Sequence, residues 1–190
     1  MTGLCHCRQL DLLVAWSSAK DDLRLYWWDP RRGALKHTLA AVDWQGRGHA
    51  GNVTCCVDVR EHDVTVTGGM GGRLVLWDVT VSAAQPEPVI SGVLKGHKHG
   101  VRALAYSREH DLLLSAGFDL DALAWDLGFK TLQLRLAGHR ASLVGVAVVR
   151  HETERAVTGD AEGVFRLWSI DRSNGGRGAC LQTFSAPQGG

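Results

Sequence analysis

No stretch of this chain approaches the roughly 18 consecutive apolar residues that a membrane-spanning helix needs. Neither sign of charge dominates, since 21 Lys and Arg stand against 20 Asp and Glu for a net charge of +1. A basic field of the kind that holds nucleic acid or a lipid surface is therefore missing, and neither is an expected partner. The first residues lack a basic segment followed by an apolar one, which leaves a soluble, cytoplasmic protein as the default expectation. The five cysteines, Cys5, Cys7, Cys55, Cys56 and Cys180, fall short of the density of a disulfide scaffold and agree with a reducing compartment. No segment needs a helix to explain its apolar pattern.

What the sequence has is repetition. Residues 96–127 open with Gly96-His97, close near Trp125-Asp126, and read as three short strands, VRALAY, DLLLSAG and ALAWDL, separated by polar turns. A fourth strand, about Thr131 to Leu136, leads to Gly138-His139. Residues 48–79 show the same order, with His49 standing 28 positions before Trp77 as His97 stands before Trp125. The turn Arg60-Glu61-His62-Asp63 recurs as Arg108-Glu109-His110-Asp111. A further copy runs from Gly138-His139 to Trp168-Ser169. Residues 1–29 read as a unit without its head, with strands at Leu4 to Cys7, Leu12 to Trp16 and Leu23 to Asp29, and Trp28-Asp29 at its end.

Three in-phase Gly-His to Trp-Asp intervals resemble the WD-repeat family of β-propellers. The resemblance implies an all-β chain of four four-stranded antiparallel blades, about 1–41, 48–95, 96–137 and 138–185, with a disordered tail at 186–190. Such propellers usually close with more blades, so four imply an incomplete, open arc. Its end faces would need covering by missing blades or by self-association. Segments 112–126 and 138–149 are also similar to long WD-repeat proteins of cilia and flagella.

In the best unit, His97, Ser115, Asp119 and Trp125 stand where the family places a buried hydrogen-bonded network. The same residue types compose a Ser-His-Asp triad. A hydroxyl held by an indole is a poor nucleophile, so the structural reading is preferred and no enzyme is expected. The matching residues are His49, Thr67 and Trp77, with Gly71 in the carboxylate position, and His139, Thr158 and Trp168, with Glu162 in that position. The first unit offers Asp22, Ser17 or Ser18 and no histidine at the matching position.

Other motifs yield to plainer readings. GGMGG at 68–72 lacks the Lys-Ser/Thr of a phosphate loop and joins two strands, so it reads as a hairpin turn. Cys5 and Cys7 share one face of a strand and His6 the other, which argues against zinc. His62, His110 and His151 read as solvated turn residues. No metal and no cofactor are expected. Trp28-Asp29-Pro30-Arg31 fits the WD-x-R pattern of WD-repeat substrate receptors of cullin ubiquitin ligases. Trp27 and Trp44 are either outer-strand packing or an exposed contact patch.

Function is therefore expected on the loops. The resemblance assigns binding of proteins or peptides to the Gly-His loops and the turns between second and third strands. There Asn52, Met70, Lys98, His99, Phe118, Arg140 and Ala161 form the candidate partner-binding face, with Asp21 and Ser142 at matching positions. Met70 and Phe118 are apolar residues at turn tips, either covered by a partner or folded inward. A non-catalytic scaffold is the leading expectation, and a substrate-recognition subunit of a cullin-type ubiquitin ligase is the alternative.

Overall fold

Alternating Val, Leu, Ile and Thr favour pleated backbone, and Asp and Gly between the runs supply the tight turns that reverse it. The structure, a computed structural model, describes residues 3–16, 24–42, 46–150, 152–172 and 177–185. Ser17, Ser18, Asp21, Asp22, Trp44, His151 and the tail 186–190 lie outside the described residues. By contact the chain divides into two compact units, Met1–Lys95 and Gly96–Gly190.

The first unit holds two four-stranded antiparallel sheets in simple meander order. One consists of β1 (Gly3–Cys7), β2 (Leu12–Trp16), β3 (Arg24–Asp29) and β4 (Ala34–Ala40). The other consists of β5 (Val53–Val59), β6 (Val64–Gly69), β7 (Arg73–Asp78) and β8 (Val89–Lys95). The second unit repeats the plan, with β9 (Val101–Ser107), β10 (Leu112–Gly117), β11 (Ala122–Asp126) and β12 (Thr131–Leu136) in its first sheet. Its second sheet is β13 (Leu143–Arg150), β14 (Glu154–Asp160), β15 (Val164–Ser169) and β16 (Ala179–Ser185). The described residues contain no α-helix, and no helix is long and apolar enough to cross a membrane.

One departure from the all-strand expectation is a 3-10 turn at Arg60–His62. Asp63 ends it in the left-handed region at φ 54°, where its N–H bonds to the Arg60 carbonyl at 3.2 Å. Asp11 and Asp111 hold the same conformation at the matching turns, a role that Asp tolerates because its short side chain bonds locally. A second recurring feature is a register shift between the third and fourth strands next to the repeat tryptophan, at Trp28, Trp77, Trp125 and Trp168. A bulge re-aims the side chain beside it, and here it recurs at the same residue of all four sheets.

Within each unit the sheets meet face to face. In the first, Cys7, Val14, Trp16, Leu25 and Trp27 pack on Val75, Trp77 and Val79. In the second, Leu112, Leu114, Ala124 and Leu134 pack on Leu143, Ala156, Trp168 and Ile170. Each Leu or Val so buried contributes about 1.5–3 kcal/mol relative to exposure. Trp27 is thus core, and the alternative of an exposed patch does not hold for it.

Turn residues tie each pair together. The Arg8 N–H donates to the Asp58 carboxylate at 3.0 Å, and Gln9 Nε2 donates to Asp63 at 2.8 Å. In the second unit Glu154 accepts from Ser107 Oγ at 2.6 Å and from the Glu109 N–H, while the Glu154 N–H returns to Glu109 Oε2, both at 3.0 Å. His110 is half-buried and its Nε2 donates to the Glu154 carbonyl at 3.1 Å, so the expectation of a solvated imidazole is corrected. Arg172 adds bonds to the Asp126 carboxylate and to the His110 and Asp111 carbonyls at 2.9 to 3.0 Å.

Candidate functional site

In the third sheet, antiparallel pairing sets Ser115 on β10 beside β11, and the bulge before Trp125 turns the indole toward it. Trp125 Nε1 donates to Ser115 Oγ at 2.8 Å, and the hydroxyl lies 2.7 Å from His97 Nε2. His97 Nδ1 then reaches Asp119 Oδ2 at 2.5 Å. Burial lowers the His97 pKa despite the neighbouring carboxylate. Burial opposes charge on Asp119 too, but hydrogen bonds from His97 and His99 hold its pKa below the ordinary range. The Ser115 and His97 side chains are fully buried. The hydroxyl is therefore closed to a substrate, although its partners have triad chemistry.

The second sheet carries the shorter version. Trp77 Nε1 donates to Thr67 Oγ1 at 2.9 Å, and Thr67 lies 2.7 Å from His49 Nε2. His49 Nδ1 is buried without a hydrogen-bond partner among the described residues. Burial, with a contribution from Arg73, pushes the His49 pKa down to about 4. The cause is visible in the backbone: a Cβ at Gly71 would stand 2.3 Å from the Ala50 carbonyl oxygen, and one at Gly69 2.4 Å from His49 Nδ1.

In the fourth sheet Trp168 Nε1 donates to Thr158 Oγ1 at 2.8 Å, and Thr158 lies 2.7 Å from His139 Nε2. The carboxylate on His139 Nδ1 is Asp160, at 2.7 Å, and not Glu162. Asp160 stands at the end of β14, and its other oxygen accepts the Glu162 and Val164 N–H groups at 3.0 Å. That geometry shapes the turn and leaves the Glu162 side chain exposed. Burial works against the Asp160 charge, but these bonds and that from His139 hold its pKa low.

Turn tips repeat one rung in three sheets. The N–H groups of Met70, Phe118 and Ala161 donate to the carbonyls of Asn52, Gly100 and Ser142 at 2.8, 2.9 and 3.0 Å. Met70 is 49% exposed and Phe118 39% exposed, so neither folds inward. Arg102 lies over the Phe118 ring, 5.8 Å from its centre. Beside Phe118 a cavity of about 310 Å³ is lined by Lys98, His99, Leu120, Asp121 and Arg135. His99 Nδ1 and the Lys98 N–H reach Asp119 Oδ1 at 3.0 and 3.3 Å. Arg135 pairs with Asp121 at 3.0 Å. Arg140 is exposed two residues before Ser142, whose hydroxyl donates to the Phe118 carbonyl at 3.2 Å. Leu120, Asp121, Arg102 and Arg135 were not among the residues singled out from sequence. The first two adjoin Asp119 and could have been found by extending the turn by two positions.

The family model described as WD domain, G-beta repeat, matches residues 38–78 and 88–126. Those two segments are WD40 repeats. Each matched segment starts at the end of one strand set, in β4 or just before β8, and finishes at the aspartate that closes β7 or β11. The structure is similar to that of U3-55K and to the crystal structure of RRP9 WD40 repeats. Both have a TM-score of 0.77 at 20% identity, over 99% of this chain and 52% of theirs. That likeness is one of fold, and the chain spans about half the length of the solved structures it matches. No curated protein matches it. In the fourth sheet, which lies outside the matched segments, Ser169 stands in place of the closing aspartate.

Proposed function

We propose that the chain is a non-catalytic interaction scaffold that binds a protein or peptide partner at the turn tips, with a cytoplasmic setting as its composition suggests. The observation that carries this is Phe118. Its backbone is pinned by Gly100, its ring is left exposed beside the cavity of Lys98, His99, Leu120 and Arg135, and an aromatic held that way suits a partner contact. Met70 shares the backbone bond and the exposure in the first unit. The buried hydroxyls and imidazoles serve packing in this reading and perform no reaction. Replacing Met70 and Phe118 by Asp and comparing the captured partners with those of the unaltered chain tests it. An unchanged set removes the turn tips from consideration, and an oligonucleotide among the captured partners argues for nucleic acid instead.

A ubiquitin-ligase receptor is the second reading, favoured by Arg31. Its side chain is 82% exposed beside Trp28-Asp29, where Asp29 Oδ1 accepts the Arg31 and Arg32 N–H groups. The Arg31 guanidinium is paired to Asp11 at 2.6 Å. Co-purification with a cullin adaptor that is lost in Arg31→Ala supports this reading, and its absence from the unaltered chain ends it.

A further inference from the structure

Phe118 and Leu120 flank Asp119 at one turn tip, 39% and 50% exposed, and both line the cavity of about 310 Å³ in the second unit. Apolar surface left in water is unfavourable, and the volume lies at the small end of ligand pockets. The carboxylates inside the cavity are already paired. Asp119 accepts from His97, His99 and the Lys98 N–H, and Asp121 pairs with Arg135 at 3.0 Å. An interior that is apolar and charge-paired suits an uncharged side chain better than an ion.

The rim has the opposite character. The side chains of Lys98, Arg102 and Arg140 are exposed, and among the described residues none of them has an acidic partner. Lys98 borders the cavity itself, and Arg102 lies 5.8 Å from the centre of the Phe118 ring. Arg140 leads into Ser142 and Leu143, whose hydroxyl and N–H donate to the Phe118 and Asp119 carbonyls, both at 3.2 Å. An exposed acid, Glu162, stands on the neighbouring turn beside Ala161, and the three cations outnumber it.

We propose that this turn tip binds an acidic peptide segment of a protein partner, one apolar side chain of which enters the cavity while flanking carboxylates meet Lys98, Arg102 and Arg140; this rests on the turn-tip reading above and adds the partner's chemistry. An anchor buried in a neutral pocket supplies affinity, and complementary charge around it speeds encounter and rejects basic sequences. A nucleic-acid strand needs basic residues tracking successive phosphates, with bases stacked on aromatic faces. Here Arg102 already stands over the Phe118 ring, and Leu120 offers no face for stacking.

The test pans a random peptide library, displayed on phage, against the full chain and measures the recovered peptides by fluorescence anisotropy. Enriched peptides are expected to carry Leu, Ile, Met or Phe between Asp and Glu residues, and to bind at least roughly tenfold more weakly when the chain carries both Lys98→Gln and Arg140→Gln. Both side chains are exposed, so these substitutions leave the fold intact. Replacing the apolar anchor of a recovered peptide by Ser is expected to weaken binding about tenfold or more, and raised salt weakens it further. Acidic peptides held as tightly by the double variant overturn the proposal. Basic or uncharged peptides that fail to bind Phe118→Asp overturn it while leaving the turn-tip reading in place, whereas peptides indifferent to Phe118→Asp remove both. An absence of enrichment, or oligothymidylate bound more tightly than any recovered peptide, overturns it as well.

Discussion

Asp160 closes on His139 Nδ1 at 2.7 Å from a position two residues past Thr158, whereas Asp119 closes on His97 from four residues past Ser115. Two backbone positions therefore deliver a carboxylate to the same imidazole atom. Only one needs to be filled, and in the second sheet Gly69 and Gly71 leave both empty.

Asp160→Ala is expected to destabilise the chain by about 1–3 kcal/mol, since it strands His139 Nδ1 and two turn N–H groups. Glu162→Gln is expected to stay within about 0.5 kcal/mol, because the side chain is exposed. Urea unfolding followed by tryptophan fluorescence measures both. Equal effects of the two substitutions contradict the assignment of Asp160.

The fold was legible because the intervals from His to Trp are long, repeated and in phase, and each is bounded by turn residues. The strand from Thr131 to Leu136 was readable to the residue. The carboxylate of the fourth sheet was not, because counting back from Trp168 assumes that every hairpin presents its acid from the same place. Asp160 sits earlier and takes the role by capping the turn as well. His110 was misread because its partner, the Glu154 carbonyl, lies 44 residues away and has no local signal.

Acid should weaken the first unit early. His49 falls from its ordinary 6.5 to about 4 on folding, so between those values the unfolded chain binds the proton that the folded chain resists. Stability is then complete above about pH 6.5 and lost as the pH falls toward 4, by about 2–3 kcal/mol from this group. The lowered carboxylates Asp119 and Asp160 act in the same direction at lower pH, since protonating them removes charge that the fold stabilises. Unfolding curves at pH 7 and pH 5, compared between the chain and His49→Gln, check the sign. A loss at pH 5 that persists in His49→Gln assigns it elsewhere.

Amide exchange should be slowest in β10 and β11, whose residues are all buried, and fast in β16, all of whose residues are exposed. Exchange by local opening tracks burial and neighbouring contacts. Protection of β16 equal to that of β10 would show that another surface covers it.

That strand belongs to a larger apolar face. Register places Phe165 opposite Phe184, and both are 44% exposed, with Val149 and Leu167 on the same side of the sheet. On the first sheet Leu4, at 55% exposure, shares the side away from the core with Trp28 and Leu35. In each unit, the side of the leading sheet that matches the Phe165 side is the one buried on the next sheet, so the Phe165 face has the form of a surface awaiting a sheet. Phe165→Asp with Phe184→Asp is expected to reduce self-association and binding of a hydrophobic dye while changing stability by less than about 0.5 kcal/mol each. Sedimentation over a concentration series and dye fluorescence read the first effect, and urea unfolding reads the second. A large loss of stability would mean that this face is already buried in solution by something that the substitutions disrupt.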